Sequence, residues 1–392
     1  MSYYKFNFFI LVYTPDFRFF YFYQPFFSRN FLLKLCKILI FVVHLRDKER
    51  MKETLSSIAA RLGVSTTTVS RVLGGKADKY RISQEMIDRV EAEARRCGYM
   101  SQFLAQKLRK VRTHTIGLVL PSITNPYFAD IASAIITKAQ EKGYTTIIVD
   151  SMENEENQRD VLSTLVSRKV DGIIAAPCGT DAAFFEEVRK SIPLVLVDRY
   201  FENSRIPYVT SNNYKGAFEA VEMLLQSGHR EIACIQGEKE SSPNKARVQG
   251  YRDALRMYGL EEKCRISGEA FSIQNGYLET KLLLNRSPRP TAIFALSYTI
   301  VLGALKAIND SEYRIPEDIS IISFDDHTTL DYTSPAISRV SQPVEEMGGL
   351  AAKILFDYIE NGNENITQLK LSTTLVSGAS VLSREDVASA ED

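Results

Sequence analysis

Polar and aromatic side chains follow short apolar runs at several places between residues 115 and 330. Asp198 and Arg199 come directly after the apolar run 194–197, and Asp325 comes just after the run 319–323. Carboxylates and guanidinium groups that converge on one cleft can bind several hydroxyl groups, and aromatic rings can stack on a sugar or a base. The candidate ligand-binding residues are Asn125, Tyr127, Phe128, Asp198, Arg199, Arg247, Ser297 and Asp325. The alternative for each is structural, because Asp and Arg at strand ends also cap helices or pair with each other.

The elements that must position these residues alternate between strand and helix. Apolar strands are predicted at 116–120, 146–149, 172–175, 194–197, 232–235, 292–295 and 319–323, with helices between them. The helices are predicted at 128–142, 161–168, 217–226, 248–258, 277–284 and 301–308. This alternation predicts an α/β core of two doubly wound parallel-sheet subdomains, like a periplasmic binding protein. Ligands in such sheets bind beyond the carboxyl ends of the strands, where the candidate residues lie.

A second group of polar residues lies on a predicted pair of short helices near residue 60. Thr54 is a good N-cap for a helix with one apolar face, and Gly63 can end that helix in the left-handed conformation. The next helix has an outward face of hydroxyl groups and one guanidinium group, namely Ser65, Thr66, Thr67, Ser70 and Arg71. Such a pair is typical of an all-α helix-turn-helix headpiece that inserts its second helix into the major groove of DNA. A third helix is predicted from Ser83. Helical hairpins with outward Thr and Arg also occur without DNA.

The charge distribution favours the DNA interpretation. The whole chain has a formal net charge of zero, but residues 51–113 carry 13 Lys and Arg against 6 Asp and Glu. Residues 114–392 carry 27 against 39. A basic segment beside an acidic body predicts contact with a polyanion, although a randomly basic surface remains the alternative.

The segment from Leu55 to Leu73, LSSIAARLGVSTTTVSRVL, resembles the lac-repressor (LacI/GalR) family of transcriptional regulators, and so does Gly98-Tyr99. The resemblance extends from Met51 to about Leu382. It implies a homodimer that binds double-stranded operator DNA under the control of a small-molecule effector, a sugar or related metabolite. It places Thr66, Thr67 and Arg71 where the family reads bases.

The resemblance also implies a hinge helix at 102–108, whose Leu108 would wedge into the minor groove. Ser101 stands where the family usually has Pro, a departure that puts the entry geometry of the hinge in doubt. Arg109, Lys110 and Arg112 add charge that would neutralise phosphates. An ordinary linker leucine is the alternative for Leu108.

In the core the resemblance is carried by four short motifs. They are Asn125-Pro-Tyr-Phe128, Asp198-Arg199, the Arg-x-x-Gly-Tyr element 247–251, and Ser323-Phe-Asp-Asp326. Residues 339–343 resemble the crossover back to the first half of the core. Ser297-Tyr298 replaces the common Asn-Asp pair, which weakens any assignment to a particular hexose.

Residues 1–50 contain 11 Phe and 5 Tyr, and their longest apolar stretch is too short to span a bilayer. A membrane-associating anchor, a folded extension and translated upstream sequence with a true start at Met51 are the alternatives, and we favour the last. The predicted domains are therefore a non-native or disordered extension at 1–50, a headpiece at 51–98, a hinge and linker at 99–113, the core at 114–382 and a disordered tail at 383–392. The tail has no leucine heptad, which favours a dimer over a tetramer.

The sequence contains no nucleotide-binding glycine motif, no catalytic serine motif and no zinc motif, so we expect neither an enzyme nor a bound cofactor or metal. Five scattered cysteines indicate reduced thiols in a cytoplasmic protein without a membrane partner. The main alternative function is a solute-binding protein of a transport system, which would share the cleft but would have no use for the headpiece.

Overall fold

The computed structural model describes residues 54–73, 77, 80–97, 112–362 and 365–384. The chain divides into two compact units, residues 1–111 and residues 112–392. The predicted extension at 1–50 and most of the predicted hinge, including Leu108, lie outside the described residues.

The first unit contains the predicted helices, which are α1 (Leu55–Leu62), α2 (Thr66–Leu73) and α3 (Gln84–Arg96). A capping box starts α1: the Thr54 hydroxyl accepts a hydrogen bond from Ser57 N, and the Ser57 hydroxyl accepts one from Thr54 N. Gly63, with φ of +66°, ends that helix in the left-handed conformation, as predicted. One apolar residue from each helix, Ile58, Val69 and Val90, is wholly shielded from solvent where the three helices pack together. Burying that shared face is what stabilises such short helices.

The second unit contains two six-stranded sheets, which define two lobes. The strands of the first lobe are β1 (Thr115–Leu120), β2 (Thr145–Asp150), β3 (Gly172–Ala175), β4 (Leu194–Val197), β5 (Tyr208–Ser211) and β11 (Gln368–Leu371). The strands of the second lobe are β6 (Ile232–Ile235), β7 (Arg265–Ser267), β8 (Ala292–Ala295), β9 (Ser320–Phe324), β10 (Ser338–Ser341) and β12 (Thr374–Val376). The spatial orders are β11-β5-β4-β3-β1-β2 and β12-β10-β9-β8-β6-β7, so β4 and β9 occupy equivalent positions.

Helices cover both faces of each sheet, which confirms the doubly wound prediction. The helices of the first lobe are α4 (Pro126–Glu141), α5 (Glu155–Ser167), α6 (Ala182–Ser191) and, after the second lobe, α11 (Val344–Asn361). The helices of the second lobe are α7 (Asn213–Gln226), α8 (Ser242–Met257), α9 (Ile273–Leu284) and α10 (Tyr298–Asn309). Alternate strand residues point to opposite faces, and the two apolar layers that result form the core of each lobe.

The chain crosses between the lobes after β5, after β10 and after β11, within the described part of residues 112–384. The second crossing, at 341–344, is the one predicted at residues 339–343. Sequence patterns left α6, α11 and strands β5, β7 and β10–β12 undefined. They also placed Arg247 at the start of a helix, whereas α8 begins at Ser242 and Arg247 lies in its second turn.

The predicted disorder of the tail from Ser383 onward is wrong for Arg384. The backbone N–H of Arg384 donates to the carbonyl of Ser227 at 2.8 Å, and its Nη2 donates to the carbonyl of Asp318 at 3.2 Å. These contacts satisfy carbonyl groups at the end of α7 and before β9, which gives Arg384 a structural role in the second lobe.

His229, close to Arg384, is a buried imidazole that the fold keeps neutral. It is inaccessible to solvent, and its Nδ1 lies 2.9 Å from the hydroxyl of Thr291. Burial lowers the pKa of His229 to about 4, and the positive charges of Arg384 and Arg230 act in the same direction. The unfolded chain binds this proton more readily, so acid favours the unfolded state.

We therefore expect His229 to make the protein less stable as the pH falls from about 6.5 toward 4, by about 3 kcal/mol at the lower end. His229→Gln removes the titrating group and should flatten this part of the profile. Urea unfolding of both proteins between pH 4 and 7.5 measures the difference. Parallel curves for the two proteins would contradict the assignment.

Candidate functional site: a cleft between the lobes and an exposed helix

The eight ligand-binding residues predicted from the sequence line one cavity between the two lobes. Its empty volume, counted together with open solvent, is about 280 Å³. Pro243 and Phe271 complete the lining. All eight predicted side chains are buried. Most of the residues that line the cavity are polar or charged, and Phe128, Pro243 and Phe271 supply apolar surface.

Two carboxylates occupy matching positions in the two lobes. Asp198 follows β4 and Asp325 follows β9, and both have left-handed backbones, with φ of +64° and +73°. Few residues other than glycine adopt this conformation, and Asp is one of those that tolerate it. The tight turn ends each strand and leaves the carboxylate at the carboxyl edge of its sheet, as the sequence predicted.

A chain of polar contacts links these carboxylates through the second crossover. The hydroxyl of Tyr127 lies 2.7 Å from Oδ1 of Asp198, to which it donates, and 3.2 Å from Oε1 of Gln342. Nε2 of Gln342 donates to Oδ1 of Asp325 at 2.6 Å. Burial raises the pKa of Tyr127 well above its usual range, and the charges of Asp198 and Asp325 add to the effect. Tyr127 therefore keeps its proton and remains a donor.

Two guanidinium groups lie beside the carboxylates. Arg247 donates from Nε to the Asn213 side chain at 2.8 Å and from Nη1 to the carbonyl of Leu296 at 2.6 Å. Its Nη2 is 3.6 Å from Oδ1 of Asp325, and its guanidinium carbon lies 3.7 Å from the centre of the Phe324 ring. These contacts fix the plane of the group and leave N–H donors free to face the cavity.

Arg199 is held from the opposite side by a carboxylate that the sequence did not single out. Its Nη1 and Nη2 donate to the two carboxylate oxygens of Glu153 at 2.7 and 2.6 Å. Burial alone would lower the pKa of Arg199, but the ion pair with Glu153 outweighs it and raises that pKa. For Asp198 burial prevails: it raises the pKa of that carboxyl despite the nearby charges of Arg199 and Arg247.

The remaining predicted residues have structural tasks as well. Asn125 caps α4 by accepting from Tyr127 N, and Ser297 caps α10 by accepting from Ile300 N. The side-chain oxygen of each residue thus caps a helix, which is the structural role given as the alternative for these residues. Both side chains also line the cavity. Phe128 contributes an apolar wall on the side of the first lobe.

In the other unit, α2 presents the polar face predicted for it. Ser65 caps the helix by accepting from Thr68 N at 3.1 Å. Ser65, Thr66, Thr67 and Ser70 are exposed. Arg71 is partly buried because its guanidinium carbon lies 3.8 Å from the centre of the Tyr80 ring. Leu108, the sixth residue predicted to contact DNA, lies outside the described residues.

Comparisons with known proteins match both units. A sequence model described as bacterial regulatory proteins of the lacI family matches residues 54–102. A model of the periplasmic binding protein-like domain matches residues 221–381. A ribose operon repressor from Haemophilus influenzae is 34% identical over 333 residues, which cover 84% of this chain and 99% of that protein. The chain belongs to the LacI family.

Other relatives have different names within the same family. The transcriptional repressor PurR of Erwinia tasmaniensis is 32% identical over 336 residues, covering 84% of this chain and 96% of that protein. A LacI-family regulator from Enterococcus faecium, solved with bound ribose, is 28% identical with a TM-score of 0.64, and the match covers 69% of this chain and 99% of that one. These matches support a DNA-binding transcriptional regulator over the transport alternative.

In the part of the chain that the structure describes, no helix is both long enough and apolar enough to span a bilayer. The matched relatives are transcriptional regulators and not enzymes.

Proposed function

We propose that this LacI-family protein is a repressor that releases operator DNA when a ribose-class monosaccharide binds in the cleft. The main support for this proposal is that the eight cleft residues converge on one small cavity in a chain whose relatives include ribose operon repressors. We further propose that it acts in the cytoplasm, where its DNA target lies, and that it catalyses no reaction.

The chemistry of the cleft favours a polyol. Carboxylate oxygens of Asp198 and Asp325 can accept hydrogen bonds from hydroxyl groups, while guanidinium groups of Arg199 and Arg247 can donate to them. Nε of Arg199 is buried without a hydrogen-bond partner, and Oδ2 of Asp198 is 3.9 Å away from it. A buried donor without a partner favours a ligand oxygen that supplies one.

Calorimetric titration of the chain with D-ribose, D-fructose and hypoxanthine tests the ligand class. Ribose is expected to bind with a dissociation constant in the micromolar range, and hypoxanthine more weakly by at least about tenfold, since a purine cannot use both carboxylates as acceptors of hydroxyl groups. Preference for hypoxanthine would instead favour a nucleobase as the class of effector.

For DNA, we propose that Thr66, Thr67 and Arg71 contact base edges, while Ser65 and Ser70 contact phosphates. The proposed boundaries remain 51–98 for the headpiece, 99–113 for the hinge with Leu108 as the wedge, and 114–382 for the core. Ligand-driven closure of the cleft would change the spacing of the two hinges in a dimer, provided that the sugar binds one conformation better than the other.

The Tyr80 ring should orient the guanidinium group of Arg71 for its contact with DNA. We expect Tyr80→Ala to weaken operator binding about threefold to tenfold, because a cation–π contact is worth about 1 kcal/mol. Tyr80→Phe keeps the ring and should retain nearly the affinity of the unaltered protein. Fluorescence anisotropy with labelled operator measures both variants, and equal losses for the two would contradict a role for the ring.

A homodimer is the assembly that we propose. Large apolar side chains are exposed on the edge strand β2 of the first sheet and in the loops after β1 and β2, at Ile148, Ile123 and Met152, and on α9, at Ile273, Leu278 and Leu282. Exposed apolar side chains together with an open sheet edge are typical of an interface. Two headpieces could then read a near-palindromic operator.

A further inference from the structure

The ion pair between Arg199 and Glu153 leaves the cleft without a free guanidinium fork on the side of the first lobe. Both terminal nitrogens of Arg199 are hydrogen-bonded to Glu153, at 2.7 and 2.6 Å. The Arg199 side chain is 4% exposed and that of Glu153 is 35% exposed, so the pair has one buried partner and one that solvent partly reaches. A planar fork of this kind binds carboxylates and phosphates in two-point fashion. Here the protein's own carboxylate already fills it.

The backbone around Glu153 is shaped to make this contact. Met152 and Glu153 have consecutive left-handed conformations, with φ of +54° and +52°. Such conformations are uncommon outside glycine and persist only where the surroundings hold them. Oδ1 of Asp150 accepts from Met152 N at 2.7 Å, and the carbonyl of Pro121 accepts from Glu153 N at 2.9 Å. The turn after β2 is thus fixed with the Glu153 carboxylate against Arg199.

Arg199 and Glu153 also line a second cavity, which we call the vestibule, with an empty volume of about 650 Å³. The vestibule receives three more carboxylates: Glu155 from the first lobe, and Glu238 and Glu240 from the second. Glu155 and Glu240 pair with Arg159 and Lys245, but the guanidinium of Arg199 is the one cationic group among the described residues that line the vestibule. An anionic group on a ligand would meet like charges from both lobes there.

We propose that Glu153 is a specificity-determining residue that restricts the effector to uncharged molecules. It occupies the two terminal nitrogens of Arg199 that a phosphate would need, and it leaves only Nε for a neutral hydroxyl oxygen. A phosphorylated sugar whose phosphate binds to Arg199 must displace Glu153 and leave its carboxylate without that partner, whereas a free sugar binds with the pair intact. This inference rests on the proposed function, because it concerns the same sugar-binding cleft.

Calorimetric titration of the full chain with D-ribose and D-ribose 5-phosphate tests the proposal, using the unaltered protein, Glu153→Gln and Glu155→Gln. The unaltered protein should bind the phosphate ester at least about 100-fold more weakly than ribose, because the ester must break a two-point charged contact. In Glu153→Gln one terminal nitrogen of Arg199 faces an amide donor and becomes free. The affinity for ribose 5-phosphate should then rise about 30-fold.

Glu155→Gln removes the same charge from the vestibule and leaves the contact of Glu153 with Arg199 in place. Because solvent and salt screen this charge, the affinity for ribose 5-phosphate should rise by no more than about threefold. Equal gains in the two variants would overturn the role given to the fork, and no gain in Glu153→Gln would overturn the proposal outright. Because Glu153 lies in a surface turn, Glu153→Ala serves as a second variant, with the same expected direction, if the glutamine variant does not fold. If the unaltered protein binds neither sugar, the proposed function itself fails and this inference falls with it.

Discussion

Arg247→Ala is expected to weaken ribose binding about 100-fold, because it removes the cation of the second lobe together with its remaining N–H donors. The guanidinium group of Arg247 is held by Asn213, by the carbonyl of Leu296 and by the Phe324 ring, so it is already oriented before the ligand arrives. A donor fixed in advance loses little entropy on binding, which makes its removal costly. The alanine variant also leaves Asp325 without the nearby positive charge.

Two further variants separate binding from folding. Arg247→Lys keeps the charge but lacks the planar fork, so its loss should fall between those of the unaltered protein and the alanine variant. Arg252 is an exposed arginine on the same helix, and Arg252→Ala should bind ribose like the unaltered protein. Calorimetry gives the affinities, and thermal unfolding shows whether each variant is folded. Unaltered ribose affinity in a folded Arg247→Ala would remove Arg247 from the site.

Arg71→Ala is the second change from which we expect a large effect. Specific operator binding should weaken about 10-fold to 100-fold, because a two-point contact with guanine contributes about 1–3 kcal/mol of discrimination. Binding to random DNA should weaken much less, since it depends on phosphate neutralisation. The ratio of operator affinity to random-DNA affinity is therefore the quantity that falls.

Arg95→Ala provides the matched control. Arg95 lies on α3, is 66% exposed and pairs with Glu91, so its loss removes the same charge away from the polar face of α2. Anisotropy titrations with operator and random duplexes at two salt concentrations compare the variants. An equal loss of specific and random binding in Arg71→Ala would show that Arg71 contacts phosphate and not a base.

Much of the cleft could be predicted from the sequence because of one topological fact. In a parallel sheet the residues that follow the strands meet at one edge, so Asp198 and Asp325 could be placed there without knowing their neighbours. The first residues of the helices were harder to predict than the residues that follow the strands. Ser242 and Pro243 mark the start of α8, yet the apolar periodicity becomes clear only about one turn later, which shifted Arg247 to the helix start.

The residues that sequence reasoning missed lie where no periodic signal exists. Glu153 lies in an irregular turn, and its role follows from two left-handed residues that no pattern announces. Gln342 was part of a recognised crossover, but its bridge between Tyr127 and Asp325 depends on long-range packing. Phe271 lies in the loop before α9, and that position gave no hint of the cleft. Of these three residues, only Gln342 carried a signal that could have been used, because it is a polar residue inside a predicted crossover.

The central claim is that one ligand in the cleft controls the affinity of the headpiece for DNA. Anisotropy titration of labelled operator with the chain, with and without saturating D-ribose, measures it most directly. We predict that ribose weakens operator binding at least about tenfold, with operator weakening ribose binding by the same factor, as linkage requires. Operator affinity that stays the same while ribose demonstrably occupies the cleft would contradict the account.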